Sequence, residues 1–562
     1  MTIADETRRE GSAGKQPGVS DRRRTRVTLL VLLLLAAGVR LPMLRIHLDP
    51  SPDGAEYLNV ARHMARGEGP ILSIKSQLFD RRPVVRSTIG NRGPLYPALV
   101  AVGLRMFRSA DDLLVARVTS CLLSLLGCAV CLLLFVRVFG WQVGAAGAAL
   151  VALNPRSVIY GVEPLGDQLA FAVSVSALAW HAAHRARGAR WSLGEGALAG
   201  LGQLARPTGL VLLVILLAGH LLGRRWRAAG WLMVGFLLVA APYFYANWRQ
   251  NGSPFYSVSA YDYAVADHQE GTWHGLDWLP TTPGQFVAQH PALVAELVWR
   301  KTRENLAVVM AQLGPLLLLL PLLPLGWWRR ERGVTLSYAC ANLLLYCFSW
   351  AAVGAPRYLL SSYLLPLPFL LEAARWPRWR RLHRIGPALL TLSVGVTVVS
   401  FTAQNVAHYQ QRSGAAQRRS PLTALRANAA AWVRRETTPD AVVATNNPWL
   451  VNYLTERPAV ICPRFSHRAQ VAPFLREHAV SSVVLFVRPG DARAQLLGSS
   501  ELAKVVQVSQ ESRADGWRLV IYRVIAPDGG GPTGNSWGGP AEGGVSRILL
   551  RKDRLQSRRQ LS

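Results

Sequence analysis

The chain has 562 residues, half of them hydrophobic and only 17% charged, which excludes a set of soluble domains and argues for many membrane segments. Its formal net charge of +30 does not imply nucleic acid, because the arginines stand in short clusters between apolar runs rather than on one soluble face interleaved with aromatics. That is the distribution of cytoplasmic loops in a polytopic protein, and no nucleic-acid partner is expected.

Residues 1–26 are polar and end in Arg22-Arg23-Arg24-Thr25-Arg26, a basic tail expected to be disordered and cytoplasmic. Residues 27–44 lack a small-residue cleavage site and read as a first span. An external loop over 45–112 follows. Its first part, 47–70, is unusual for so basic a chain, with Asp49, Asp53 and Glu56 close together. Pro50 and Pro52 stiffen the approach, and Asp53 stands where a helix N-cap would, with Glu56 at the capping-box spacing. Tyr57, Val60, Ala61 and Met64 then recur at helical spacing opposite Asn59, Arg62, His63 and Arg66, before Gly67 and Gly69 offer a stop. The pattern predicts a short amphipathic helix on the membrane face with carboxylates at its mouth. Locally, Asp53 as a mere helix cap is an equal reading. Asn91-Arg92-Gly93-Pro94-Leu95-Tyr96-Pro97 precedes a second apolar helix over 98–107.

Residues 113–136, 143–160 and 165–183 read as three more spans, with Glu163 and Asp167 in the external turn between the last two. Cys121, Cys128, Cys131, Cys340 and Cys347 all lie in apolar runs, so no disulfide framework is expected. Cys128 and Cys131 have the spacing of a redox or metal pair, but no second pair or histidine accompanies them, and packing is the expected role. The loops over 184–190 and 224–227 are both basic, so an even number of crossings must separate them. Residues 193–222 therefore read as two short helices broken at Arg206-Pro207, with Arg206 at the external end. Residues 231–245 cross outward, and a long external loop to about 306 carries Asp262, Asp267, His268, Trp273, His274 and Trp278. Asn251-Gly-Ser in it is formally a glycosylation sequon and reads better as a turn. Spans over 308–327, 334–353, 358–371 and 385–401 complete about eleven membrane segments. The short basic loops then share the cytoplasmic side, and the chain after the last span is extracytoplasmic.

From about 410 the composition is that of a soluble domain. β-Branched or apolar runs at 441–445, 459–462, 481–487, 504–508 and 518–524 alternate with helical stretches, which predicts a small extracytoplasmic α/β domain over 410–525. Residues 526–562 are glycine-rich, then basic, and are expected to be disordered. The division is thus a tail, a transmembrane domain over 27–409, the α/β domain and a second tail.

Five motifs in order carry a resemblance to a known family. They are Asp53-Gly-Ala-Glu56-Tyr57 with Ala61, Gly67 and Gly69; Arg92-Gly-Pro94-Leu95-Tyr96-Pro97; Ala205-Arg206-Pro207-Thr208-Gly209; Pro242 and Asn247 with Gly252 and Pro254; and Arg357-Tyr358. With this topology the chain resembles the GT-C superfamily of integral-membrane glycosyltransferases, especially the family 39-type enzymes related to protein O-mannosyltransferases and aminoarabinose transferases. The resemblance implies transfer of a sugar from a polyprenyl-phosphate donor to an acceptor hydroxyl at the outer face of the membrane, with a protein, lipid or glycan as acceptor. It also implies a general base in the first external loop, here Asp53, with Asp49 and Glu56 beside it; Asp49 could share or take over the role. A carboxylate suits proton removal from the attacking hydroxyl, and arginines suit the departing phosphate. Arg357 and Arg206 are the candidates for that phosphate, with interfacial snorkelling as the other reading of each. Glu163 and Asp167 resemble the superfamily's second acidic site, for the acceptor or a divalent metal, which the sequence neither requires nor excludes; Asp167 also reads as a helix cap.

Two other classes remain open. A transporter or flippase of lipid-linked or envelope precursors would place its ionisable groups within the spans, whereas the carboxylates here cluster in external loops. An anchored binding protein would work through the C-terminal domain, which shows no nucleotide loop, metal cluster or triad.

Overall fold

The computed structural model describes residues 19–46, 48–78, 80, 82–206, 209–258, 282–317, 319, 330–348, 356–373, 385–417, 421–463, 465, 467–488, 490–491, 506–514 and 516–525. The tail after 525, the basic loop around 375–384, and the Asp, His and Trp cluster over 262–278 lie outside the described residues.

The membrane part is helical. Helix α1 (Val19–Leu44) starts inside the stretch expected to be disordered, because the Arg22–Arg26 run favours helix once an apolar segment continues it. Helices α2 (Pro52–Ala65), α3 (Leu95–Met106) and α4 (Asp112–Phe139) follow. The span expected over 143–160 is two helices, α5 (Trp141–Leu153) and α6 (Pro155–Tyr160). Pro155 cannot continue α5, and the Asn154 side chain caps the restart, accepting from the backbone N–H groups of Arg156 and Ser157 at 3.1 Å. Then come α7 (Asp167–His184), α8 (Ser192–Ala205), α9 (Gly209–Leu222) and α10 (Trp226–Asn251). Helix α11 (Pro283–Gln289) and most of α12 (Pro291–Leu313) occupy ground expected to be loop, and the end of α12 enters the span expected from 308. They are followed by α13 (Arg330–Phe348), a 3-10 turn over Pro356–Leu359, the short α14 (Leu360–Leu364) and α15 (Leu367–Ala373), and α16 (Ile385–Gln417). Among the described residues four helices are long and apolar enough to cross a bilayer, over Arg23–Leu44, Asp112–Phe139, Trp226–Asn251 and Leu390–Ala416; α3, α5 and α9 are apolar but shorter.

Two devices hold these helices together. Arg40 is fully buried in α1 and binds the Ala152 carbonyl at 2.9 Å, Ser124 Oγ at 3.0 Å and Ser157 Oγ at 3.1 Å, so one guanidinium ties α1 to α4, α5 and α6. Cys128 touches the same guanidinium and Cys131 is buried beside it, in the packing role expected of both. Helix α8 meets α10 through glycine: a Cβ at Gly196 would lie 1.9 Å from the Leu232 carbonyl, and one at Gly235 2.1 Å from the Leu193 carbonyl. Only a residue without a side chain permits that approach.

The residues after α16 form α17 (Pro421–Glu436), α18 (Pro448–Thr455) and α19 (Val471–Glu477) around a sheet. Before them in the chain stand the short strands β1 (Ile71–Leu72), β2 (Ile74–Lys75) and β3 (Arg86–Ser87) of the first loop. Strands β4 (Val442–Thr445), β5 (Ala459–Ile461), β6 (Val480–Val487), β7 (Val506–Ala514) and β8 (Trp517–Val524) follow. The six-stranded order is β2-β5-β4-β6-β8-β7, parallel up to β6 and antiparallel beyond. Apolar clusters cover both faces, one with Phe474 and Leu475, the other with Trp432 and Val433. Strand β2 belongs to the first loop, so that loop and the C-terminal residues share one sheet. The change of composition at 410 falls within α16, whose apolar part continues as a polar extension to Gln417.

Candidate active site

Helix α2 opens the site, and its N-terminus differs from expectation. Ser51 is the N-cap, its Oγ accepting from Gly54 N–H at 3.2 Å, and Pro52 is the first helical residue. Proline fits there because its missing N–H is unpaired in any case. Asp53 therefore does not cap the helix and is free to point elsewhere. Nor does α2 keep an exposed polar face over its first turns: residues 54–61 are all buried, packed against α3, α4 and α7 and against α18. Asn59, expected on a polar face, is buried, bonding Ser73 Oγ at 2.8 Å and Asn452 Oδ1 at 3.0 Å. Gly67 and Gly69 do end the unit with positive φ.

Asp53 is held by two guanidiniums, Arg92 on one carboxylate oxygen and Arg357 on the other. Burial by itself pushes the Asp53 carboxyl up, but Arg92 and Arg357, with Arg206 further off, outweigh it and hold the group well below the usual carboxylate range. Arg92 Nε also donates to Glu56 Oε2 at 2.8 Å, and the other Glu56 oxygen accepts from the Trp449 indole N–H at 2.9 Å. The Arg92 guanidinium stands 5.6 Å from the Tyr57 ring centre. Burial raises the Tyr57 hydroxyl above its ordinary value against the pull of Arg206 and Arg92, so it stays protonated.

A second ion pair adjoins this one. Arg206 Nη2 lies 2.7 Å from Asp167 Oδ1, and both side chains are nearly buried. Tyr358 links the two: its ring centre is 4.4 Å from the Arg206 guanidinium carbon and 4.7 Å from that of Arg357, and its hydroxyl accepts from Arg357 at 2.7 Å. Tyr346 stacks on Tyr358 at 5.3 Å. Three arginines and three carboxylates thus converge from the ends of α2, α7 and α8, the loop before α3, and the 3-10 turn over Pro356–Leu359.

Glycines set the spacing. A Cβ at Gly93 would lie 2.4 Å from the Ala205 carbonyl, so the Arg92 loop presses against the end of α8 where Arg206 begins. Gly90 has φ +81°, and its Cβ would meet Tyr256 at 2.7 Å. Asn247 clamps the neighbouring loop by donating to the carbonyls of Pro254 at 2.8 Å and Tyr256 at 3.0 Å. Helix α8 ends at Ala205, Arg206 is extended (φ −154°), and α9 begins at Gly209, so the expected break is present; Pro207 itself lies outside the described residues. The two helices form a hairpin, because Glu195 near the start of α8 reaches His220 near the end of α9 at 2.7 Å.

Of the residues singled out in the sequence, Asp53, Glu56, Arg357, Arg206 and Asp167 come together. Asp49 does not: it is half-exposed and pairs with Arg426 of α17 at 2.5 Å. Glu163 does not either, its partner being Arg412 of α16 at 2.7 Å. Asp167 stands in the first turn of α7, where Gly166 is the N-cap, and its carboxylate faces Arg206. Sequence reasoning missed Arg92, Tyr358, Tyr57 and Trp449. The first three stand inside quoted motifs, whereas nothing around Trp449 signals a contact with a residue almost four hundred positions earlier.

Comparisons with known proteins bear on the fold. Residues 91–248 match the family described as dolichyl-phosphate-mannose-protein mannosyltransferases. No curated protein matches the sequence. Among solved structures, ArnT from Cupriavidus metallidurans bound to undecaprenyl phosphate aligns over 92% of this chain and all of its own, with 15% identity and a TM-score of 0.56. The archaeal oligosaccharyltransferase AglB from Archaeoglobus fulgidus, in complex with an inhibitory peptide and a dolichol-phosphate, aligns over 84% of this chain and 70% of its own, with 13% identity and a TM-score of 0.56. The same protein in complex with zinc and sulfate aligns over 89% of this chain and 73% of its own, at 15% identity and TM-score 0.56. The chain is a multi-pass membrane protein with the fold of the GT-C glycosyltransferases, and the resemblance drawn from its motifs holds at that level.

Proposed function

We propose that this protein is a glycosyltransferase that moves a sugar from a polyprenyl-phosphate donor to an acceptor hydroxyl at the outer face of the membrane. The observation that carries it is the Asp53 carboxylate clamped between Arg92 and Arg357, at the end of the helices from which the C-terminal sheet rises. The acceptor hydroxyl attacks the anomeric carbon, the bond from that carbon to the phosphate oxygen breaks, and Asp53 takes the hydroxyl proton. A base held far down by two arginines is a weak one. The donor resolves this: its phosphate competes for the guanidiniums, which bind it bidentately, and their release raises the proton affinity of Asp53 in the loaded site. Glu56 and Trp449 keep Arg92 aimed during the exchange, and Asp167 orients Arg206 beside it. The fold similarity to proteins bound to undecaprenyl phosphate and dolichol-phosphate supports this donor class.

The reading carries a topology: about eleven membrane segments, a cytoplasmic N-terminus, and the region after 410 outside as a small α/β domain sharing its sheet with the first loop. A transporter reading gains nothing from the site, whose charges sit where helices end rather than midway along them.

The test is direct transfer. Purified protein is incubated with polyprenyl-phosphate-linked sugars and candidate acceptors, and products are followed by mass spectrometry. Release of polyprenyl phosphate coupled to a glycosylated product is expected; movement of intact donor across a vesicle membrane without bond cleavage would favour the transporter instead.

A further inference from the structure

Far from the Asp53 site, the helices bury a second ionisable cluster. Glu195, near the start of α8, is 1% exposed, as is no ordinary unpaired carboxylate. Its neighbours are two histidines from two other helices: His220 Nε2 of α9 lies 2.7 Å from Oε2, and His181 Nδ1 of α7 lies 3.3 Å from Oε1. The ligand-type atoms of all three lie within 4.8 Å of one another, and all three residues are buried. His181 Nδ1 makes no well-formed hydrogen bond despite that proximity. Ser192 Oγ stands 3.4 Å from His220 Nε2. Asp167 opens α7 and His181 lies near its other end, about 20 Å along the helix, so the cluster is separate from the site above.

From this geometry we infer a structural zinc site formed by His181, Glu195 and His220, pinning the α8–α9 hairpin to α7. Two imidazoles and a carboxylate are a donor set that suits Zn2+, and a buried carboxylate is stable only when paired or metal-bound. Zinc bonds of about 2.0–2.1 Å at tetrahedral angles hold donors roughly 3.3 Å apart. His181 faces Glu195 Oε1 at 3.3 Å and His220 faces Oε2 at 2.7 Å, so an ion bound through Oε1 keeps the first spacing and His220 has to shift from Oε2 toward it. A water or Ser192 Oγ completes the fourth position. The site closes the hairpin at the end opposite Arg206, so it fixes the register in which α8 delivers Arg206 to Asp167.

The full-length chain in detergent is stripped with a chelator, incubated with Zn2+, desalted, and assayed for metal by mass spectrometry. About one zinc per chain is expected for the wild type, with loss of that ion in His181→Ala, His220→Ala and Glu195→Gln. Glu195→Gln retains size and hydrogen bonding, and its elution as the wild-type peak separates metal loss from misfolding. Co2+ substituted into the wild type should give the visible absorption of a tetrahedral site, bleached by Zn2+. A wild type that retains no zinc and shows no cobalt absorption would reduce the triad to a hydrogen-bonded one. Variants that retain as much zinc as the wild type would place the ion elsewhere, and either result overturns the proposal.

Discussion

Asp53 and Arg357 face each other across three hundred residues of sequence, and the proposed function makes the first a base and the second a phosphate clamp. If Arg357 binds the donor as a planar fork, lysine cannot replace it, because an ammonium offers a point charge without the bidentate geometry. Arg357→Lys is expected to lower the transfer rate by about one to two orders of magnitude, the worth of a charge-assisted hydrogen bond. An unchanged rate with a polyprenyl-phosphate donor would remove Arg357 from the clamp. Trp449 acts at one remove. Trp449→Phe leaves a buried Glu56 oxygen without its donor, costing about 1–3 kcal/mol, and frees Glu56 to pull Arg92 off Asp53. A drop in kcat, measured well below the lowered unfolding midpoint that this cost implies, is the expected outcome; a kinetically silent Trp449→Phe would make the contact purely structural. The short motifs made Asp53, Glu56, Arg206, Asp167 and Arg357 legible in the sequence, because proline, glycine and charge together mark helix ends. Asp49 and Glu163 share the acidity but not the helix, and their arginine partners stand far off in the sequence, so residue type alone could not sort them.

At the scale of elements, turns and breaks were readable and shared sheets were not. Arg206-Pro207 gave the hairpin, since charge parity demanded a break and proline supplied one. The β-branched runs after 440 stand where β4 to β8 lie. Ile74-Lys75 is too short to read as a strand, and only its parallel pairing with Ala459–Val460 makes it one. That joint has a pH signature. Burial lowers the His478 imidazole to about 4, with help from nearby Lys75 of β2. Above its ordinary value of 6.5 the ring is neutral folded or unfolded. Between 6.5 and about 4 the unfolded chain binds a proton that the folded one refuses, so stability falls as pH falls. The predicted slope is at most about 1.4 kcal/mol per pH unit, and His478→Gln should flatten it. Unfolding midpoints of the full chain measured across that window decide; equal slopes in both proteins would contradict the assignment.

For the whole molecule, the account requires that the first loop and the C-terminal sheet lie on one side of the membrane, opposite the basic loop at 184–190. Ser109 and Gly188 are both exposed and suit reporter cysteines. Above the background of the native thiols, a cysteine at Ser109 should react with an impermeant maleimide in intact cells, and one at Gly188 only after permeabilisation. Reaction of both from outside would break the topology. The central claim, that Asp53 is the base of a sugar transfer, is tested most directly by the rate of transfer from a polyprenyl-phosphate sugar in Asp53→Asn. Ser51 caps the helix, so the substitution leaves the cap intact, and asparagine retains the size of the side chain. The account predicts a loss of about 10²- to 10⁴-fold with normal folding, and near wild-type transfer in Asp49→Asn. Wild-type transfer by Asp53→Asn would contradict it.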